Sequence, residues 1–135
     1  MPLSDDDFGF TEEKAGQNLA VLAESLYLVN LMLAPGLGFA ILLGLWLRYR
    51  ASAPPLARQH LRQATVVSLV GGLLIVTLSG LILGFGGLDW PWTWVVLILY
   101  FTCIHSTLIL FGMVGLIKAM AGQVWRYPLI GPKLQ

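Results

Sequence analysis

Three polar side chains interrupt the apolar stretches of this 135-residue chain, and chemistry would be sought there first. Glu24 lies near the start of the first stretch, Asn30 six residues on, and His105 in the middle of the last, within YFTCIHSTLIL. An ionisable group inside an apolar helix is costly to keep there. By default it marks a functional contact with a partner, an ion or a proton path. The shallow position of Glu24 equally suits a structural role at interfacial water. At a rise of about 1.5 Å per residue, Asn30 sits about 9 Å deeper, where its amide is expected to bond to another helix. His105, with Thr102, Cys103, Ser106 and Thr107 around it, is expected to be a hydrogen-bonded packing residue. A proton relay, a metal or haem ligand, and a partner contact are its alternatives.

These residues form no catalytic pattern. Cys103 and His105 are two apart, so they point to different sides of a helix and make a poor nucleophile–base pair. The other histidine, His60, lies at a different depth, which argues against a metal or two-histidine haem site within one chain. There is no phosphate-binding glycine loop, serine-hydrolase elbow, zinc-protease helix or paired-carboxylate motif. No catalytic residue, metal or cofactor is expected, and the chain is not read as an enzyme.

The elements that must position these groups are membrane helices. Hydrophobic residues make up 57% of the chain and charged ones only 11%, with mean hydropathy +0.78; soluble domains carry about 25% charged residues. A net charge of +1 from scattered basic residues gives no reason to expect nucleic-acid binding. The single Cys103 cannot form an intrachain disulfide. The opening MPLSDDDFGFTEEK is acidic where a secretory signal would be basic, so the first apolar segment is expected to be retained. An all-α protein with three transmembrane helices follows, at about 19–47, 64–88 and 92–121, since a span needs roughly 20 apolar residues. Pro35 and Gly36 are expected to kink the first. An acidic segment at 1–18, with a short interfacial helix starting near Thr11, precedes this 19–121 domain, and an interfacial tail at 122–135 follows it.

Charge sets the orientation. Arg48, Arg50, Arg58, Arg62, Lys118, Arg126 and Lys133 fall in the first loop or near the end of the third helix, while the acids lie toward the other side. With three spans, the positive-inside rule puts the N-terminus outside and the C-terminus in the cytoplasm. Asp89 is placed to cap the third helix, and Trp90, Trp92 and Trp94 to form an aromatic belt.

Small residues recur along the helices: Gly36, Ala40 and Gly44; Ser68, Gly72, Gly80 and Gly84; Gly112, Gly115 and Ala119. Such stripes allow close helix approach where lipid offers no hydrophobic drive. Packing within the chain and docking onto another subunit or copy are both open. At the end of the third helix, Gly122 can stop the helix, Trp125, Arg126 and Tyr127 can anchor at headgroup depth, and Pro128 prevents continuation.

Two motifs together, ARQHLRQA and IKAMAGQVWRYPLIG, resemble the small helical membrane proteins related to the chloroplast Tic inner-envelope import component. The matching positions are His60, Gln63, Ala64, Ala119, Gly122, Tyr127 and Pro128. That resemblance implies a juxtaposition of the tail with the start of the second helix, an inner-face motif of Arg58, His60, Gln63, Arg126, Tyr127 and Pro128. It implies no catalytic residues.

The sequence thus points to a multi-pass protein of a bacterial cytoplasmic (inner) membrane. The expected role is that of an accessory or assembly subunit docking through its helices onto a larger membrane complex, with lipids and that complex, or copies of itself, as partners. The alternative is a self-oligomerising channel or transporter component, with Glu24, Asn30 and His105 along its route.

Overall fold

The computed structural model describes residues 5–132, with side chains from Gly16 onward. The described chain is all-α: α1 spans Asp5–Met32, α2 Leu37–Tyr49, α3 Pro55–Gly86 and α4 Pro91–Met120. Proline opens both long helices, where its missing donor costs nothing and its fixed φ suits the first turn. The expected helix start at Thr11 is not seen, since α1 already runs through it. The acidic side chains of residues 5–13, and Lys14 and Lys133, lie outside the described residues.

The first apolar stretch is a helical hairpin, and not the single kinked span expected at 19–47. Pro35 cannot donate to the helix and disfavours helical backbone at Ala34, and Gly36 takes φ +88°, which reverses the chain. Asn30 then stabilises the turn from across it: its Oδ1 accepts from the backbone N–H of Gly36 at 2.9 Å and of Phe39 at 3.0 Å. These are orphan donors of the first turn of α2, whose own N-cap has no side chain to offer. Gly38 lies directly on the backbone of Asn30, where an added Cβ would be 2.7 Å from the Asn30 Cβ. The two arms are therefore antiparallel.

The hairpin returns both its ends to one end of the molecule. Gly16 packs against Pro54, where an added Cβ would be 3.2 Å from the proline ring, and the Gln17 amide donates to the carbonyl of Met120. Gly16 and Gln17 of α1 thus lie beside the start of α3 and the end of α4. The expected three-span topology would have put these two segments at opposite ends of the helices.

Along the long helices, Gly71 meets Leu108, the Tyr100 hydroxyl donates to the carbonyl of Leu74 at 2.8 Å, and Gly86 sits on Thr93. α3 and α4 are therefore antiparallel partners over their length. The core lies where all four helices meet, formed by Ala23, Tyr27, Leu42, Leu61, Ala64, Val67, Leu108 and Tyr127. Beyond it α3 and α4 continue alone. Phe85 is 91% exposed there, and Leu81, Leu88, Trp92 and Ile98 are exposed as well. Only α3 and α4 are long and apolar enough to cross a membrane among the described residues. The 13-residue α2 reaches about 20 Å, short of a bilayer core of about 30 Å. The N-cap of α4 is Trp90, with no side-chain cap bond, so Asp89 does not play that part.

Candidate functional site

Near its end α4 stops in a glycine-terminated cap. Gly122 takes φ +69°, its N–H reaches the carbonyl of Ala119 at 3.0 Å, and the N–H of Gln123 reaches that of Lys118 at 2.8 Å. The tail then turns back along the first turns of α3. Gln59, His60 and Gln63 meet it there through its backbone. Gln59 Nε2 and Gln63 Nε2 both donate to the carbonyl of Trp125 at 2.8 Å, and Gln63 Oε1 accepts from the N–H of Tyr127 at 2.8 Å. His60 Nε2 lies 2.8 Å from the carbonyl of Gln123.

α1 closes the site from the other side. Glu24, His60 and Gln63 are fully buried. Glu24 Oε1 lies 2.7 Å from His60 Nδ1, and Glu24 Oε2 accepts from the Tyr127 hydroxyl. Because a carbonyl can only accept, His60 Nε2 must carry its proton. The Nδ1–Oε1 contact then holds one further proton, on the imidazole or on the carboxyl. Either arrangement leaves the pair neutral as a unit, which is how a buried carboxylate is tolerated. Burial first, and then the Glu24 carboxylate beside it, push the Tyr127 phenol well above its usual range, so it stays a donor.

Aromatic and glycine packing completes the enclosure. Tyr127 stands edge-on to Tyr27 with centroids 5.5 Å apart and lies near Trp125 and Phe111. The Tyr27 hydroxyl donates to the carbonyl of Leu108 at 2.9 Å. Gly115 faces the cluster, where an added Cβ would be 2.7 Å from Glu24 Oε2, and Gly112 faces Tyr27. With both imidazole nitrogens and both carboxylate oxygens engaged, the cluster acts as a latch. It holds the tail, α1 and α3 in one arrangement.

The polar residues singled out in the sequence are thus divided. Glu24 belongs to the latch, at the same end as His60 and Arg58, and not at the opposite end as its charge grouping implied. Asn30 and His105 line a separate cavity of about 530 Å³ between the hairpin turn, α3 and α4. The His105 ring stacks on Phe101 at 5.0 Å, and its Nδ1 is buried without a partner. The hydrogen bond expected of His105 is not made at Nδ1, and its neighbour Thr107 turns to the carbonyl of Cys103, at 2.7 Å.

Among the small residues, Gly112 and Gly115 pack inside the chain. Cβ atoms added at Gly36, Gly44, Gly72, Gly80 or Gly84 would meet nothing, and Ala40 is exposed. The inner contact of α2 uses Gly38 and Leu42 instead, because the reversed chain presents a different face. Arg58 donates to the carbonyl of Ala53 at 3.0 Å, Arg126 to that of Gly131 at 2.8 Å, and Pro128 is exposed. Tyr27 was missed in the sequence. Its signal was the spacing of three from Glu24, matching that of His60 and Gln63, which puts two polar pairs on single helix faces. No group of three metal-binding side chains occurs among the described residues.

Comparison with known families decides the kinship. The model of the magnetosome magnetite crystal formation protein family (MamF/MmsF) matches residues 15–134. The chain belongs to this family. The resemblance to proteins related to the chloroplast Tic component is accordingly overturned; its two motifs are short and their residues serve the latch. The match contains every latch residue from Glu24 to Tyr127. No curated protein and no solved structure matches the chain.

Proposed function

We propose that the protein is a small multi-pass membrane subunit that serves magnetite crystal formation in the magnetosome by docking onto a partner in the bilayer. Family membership supports the process. The observation that carries the docking reading is the outward stripe on α3. Gly72, Val76, Gly80 and Gly84 recur every fourth residue and are all exposed, and no atom of the chain occupies the space over the three glycines. A small-residue face that its own fold leaves open suits close approach of another helix.

In this reading α3 and α4 cross the membrane. Arg48, Arg50, Arg58, Arg62, Lys118 and Arg126 all belong to the latch end, so the positive-inside rule assigns that end to the cytoplasm. The α1–α2 hairpin enters the bilayer and returns. Its turn lies level with Ser68 to Gly72, about 9–15 Å beyond Arg62 and so within the inner half of the hydrocarbon core. Non-helical backbone is tolerated at that depth when buried in protein, and Asn30 supplies the acceptor the turn needs. The channel alternative has less support, since Glu24 and the Asn30 carbonyl oxygen are satisfied within one chain.

The test is co-purification from native magnetosome membranes in mild detergent, comparing wild type with Gly80→Leu and Gly84→Leu. These replacements have open space within the chain, so the variants should fold normally and yet lose a stoichiometric partner. Retention of every partner by folded variants, or no partner with wild type, overturns the docking reading.

A further inference from the structure

Beyond the latch the tail forms a closed turn whose tip the latch does not use. The carbonyl of Tyr127 accepts from the Gly131 N–H at 3.1 Å, and that of Pro128 from the Ile130 N–H at 2.8 Å. Arg126 Nε donates to the carbonyl of Gly131 at 2.8 Å. Gly131 lies against the Tyr127 backbone, where an added Cβ would be 2.7 Å from the Tyr127 carbonyl oxygen. At the tip stands Leu129, with φ +66°, the one non-glycine residue at positive φ among the described residues. Contact between Cβ and the backbone disfavours that conformation, and glycine would adopt it without strain. Leu129 is also 98% exposed, so its side chain gains no packing from the chain in return. A strained leucine that a braced turn directs outward is accounted for by a contact outside the chain.

The level of the turn says what that contact is, on the reading above that α3 and α4 cross the membrane. The N–H of Tyr127 is bonded to Gln63, one residue past Arg62, and its ring reaches Gly115, about 4.5 Å deeper than Lys118. Leu129 follows two residues on, at most about 7 Å from Tyr127. Ile117 and Met120 lie nearer the cytoplasmic end of α4 than Gly115, and each is 61% exposed and apolar. Lipid that covers them therefore reaches the level of the turn. We infer that the turn at residues 126–131 is a lipid-docking element, inserting the Leu129 side chain among the acyl chains of the cytoplasmic leaflet just beneath the headgroups. Arg126 is exposed and uses its Nε within the turn, which sets a cation beside the apolar tip, at the level of anionic headgroups. The tail is thereby held from two sides, Tyr127 by the latch and Leu129 by lipid.

The test is depth-dependent quenching of a bimane label on the full chain in phosphatidylcholine/phosphatidylglycerol nanodiscs. Wild type labelled at its single cysteine, Cys103, is the deep reference, about 22 Å from the Lys118 level and about 14 Å from that of Trp94. Leu129→Cys and Ser52→Cys, each with Cys103→Ala, place the label at the turn and on the exposed α2–α3 loop, the latter as aqueous reference. Lipid spin-labelled at acyl carbon 5 should quench the Leu129 position at least threefold more than the Ser52 position. Aqueous iodide should quench it at least fivefold less. Both positions are exposed, so the variants should fold, and helical circular dichroism checks this. A Cys103 label quenched by lipid together with a Leu129 label that behaves like Ser52 keeps the spanning reading and overturns the inference. Shielding of the Leu129 label from both quenchers also overturns it, because protein would then cover the turn. A Cys103 label open to iodide and untouched by lipid spin labels would bring down the spanning reading and the inference with it.

Discussion

The two ends of this molecule are built from nearly the same apolar vocabulary and behave oppositely. At the latch end, four helices and the tail enclose Glu24, His60, Gln63, Tyr27 and Tyr127, and Gly112 and Gly115 allow that closeness. At the far end, α3 and α4 run alone, Phe85 and Trp92 face outward, and Gly80 and Gly84 touch nothing. Glycine therefore has two roles on antiparallel neighbours: Gly112 and Gly115 of α4 pack inside the chain, while Gly80 and Gly84 of α3 are left uncovered by it. A helix in lipid gains little from burying leucine against leucine, so close contact and hydrogen bonds decide where the chain packs on itself.

The sharpest way to break the latch is to remove one member of its buried pair. Glu24→Leu or His60→Leu alone should cost about 3–5 kcal/mol, because the other member is left unpaired in the interior. The double replacement should recover much of that loss. A cycle of unfolding measurements in mixed micelles reads both, and additive single losses would show that the pair does not act as a unit.

Next in size is a direct comparison of the two ends. Gly115→Val drives a side chain into Glu24 and Tyr127 and should cost on the order of 1–3 kcal/mol. Gly84→Val meets nothing within the chain and should change stability by less than about 0.5 kcal/mol. Equal effects in the purified protein would erase the distinction between the ends.

Tyr127→Phe keeps the ring and removes the donor to Glu24. It should destabilise by about 1–3 kcal/mol through the acceptor left unsatisfied. It should also change the alkaline response. The phenol is raised in the folded state above its ordinary 10.0, so folding is favoured while the unfolded phenol remains protonated. That stability is lost as pH rises from about 10 toward the folded value. Wild type should therefore lose stability above pH 10 more steeply than Tyr127→Phe, with no difference in slope between pH 7 and 9. Parallel curves would separate Tyr127 from this linkage.

The smallest effect is expected at the hairpin turn. Asn30→Ala removes the acceptor that caps α2 and should cost about 1 kcal/mol. Hydrogen exchange should quicken at Gly36 and Phe39 and stay unchanged in the latch. Faster exchange at both places would mean that the turn and the latch open together.

Much of this was readable in the chain, and the boundary follows from how far each signal reaches. α3 and α4 were visible because hydropathy accumulates along one continuous segment. The break at Pro35–Gly36 and the stop at Gly122 were visible because proline and glycine act on their own backbone. A span at 19–47 looked sound for the same reason: its length and composition suffice, and a kinked helix and a folded-back hairpin expose similar apolar surface to lipid. Glu24 was then carried to the wrong end, since its level depends on whether that segment crosses.

Residue types alone determined an all-α membrane protein, two long apolar helices, a basic end, and the few polar groups that must find partners. Tertiary structure alone decided that Glu24 meets His60 across 36 residues, that the tail closes over them, and which glycines face inward. The reason is that hydropathy and turn signals are local sums, whereas a buried hydrogen bond depends on the direction taken by distant segments. Here the reversal at Gly36, secured by one asparagine, sets that direction.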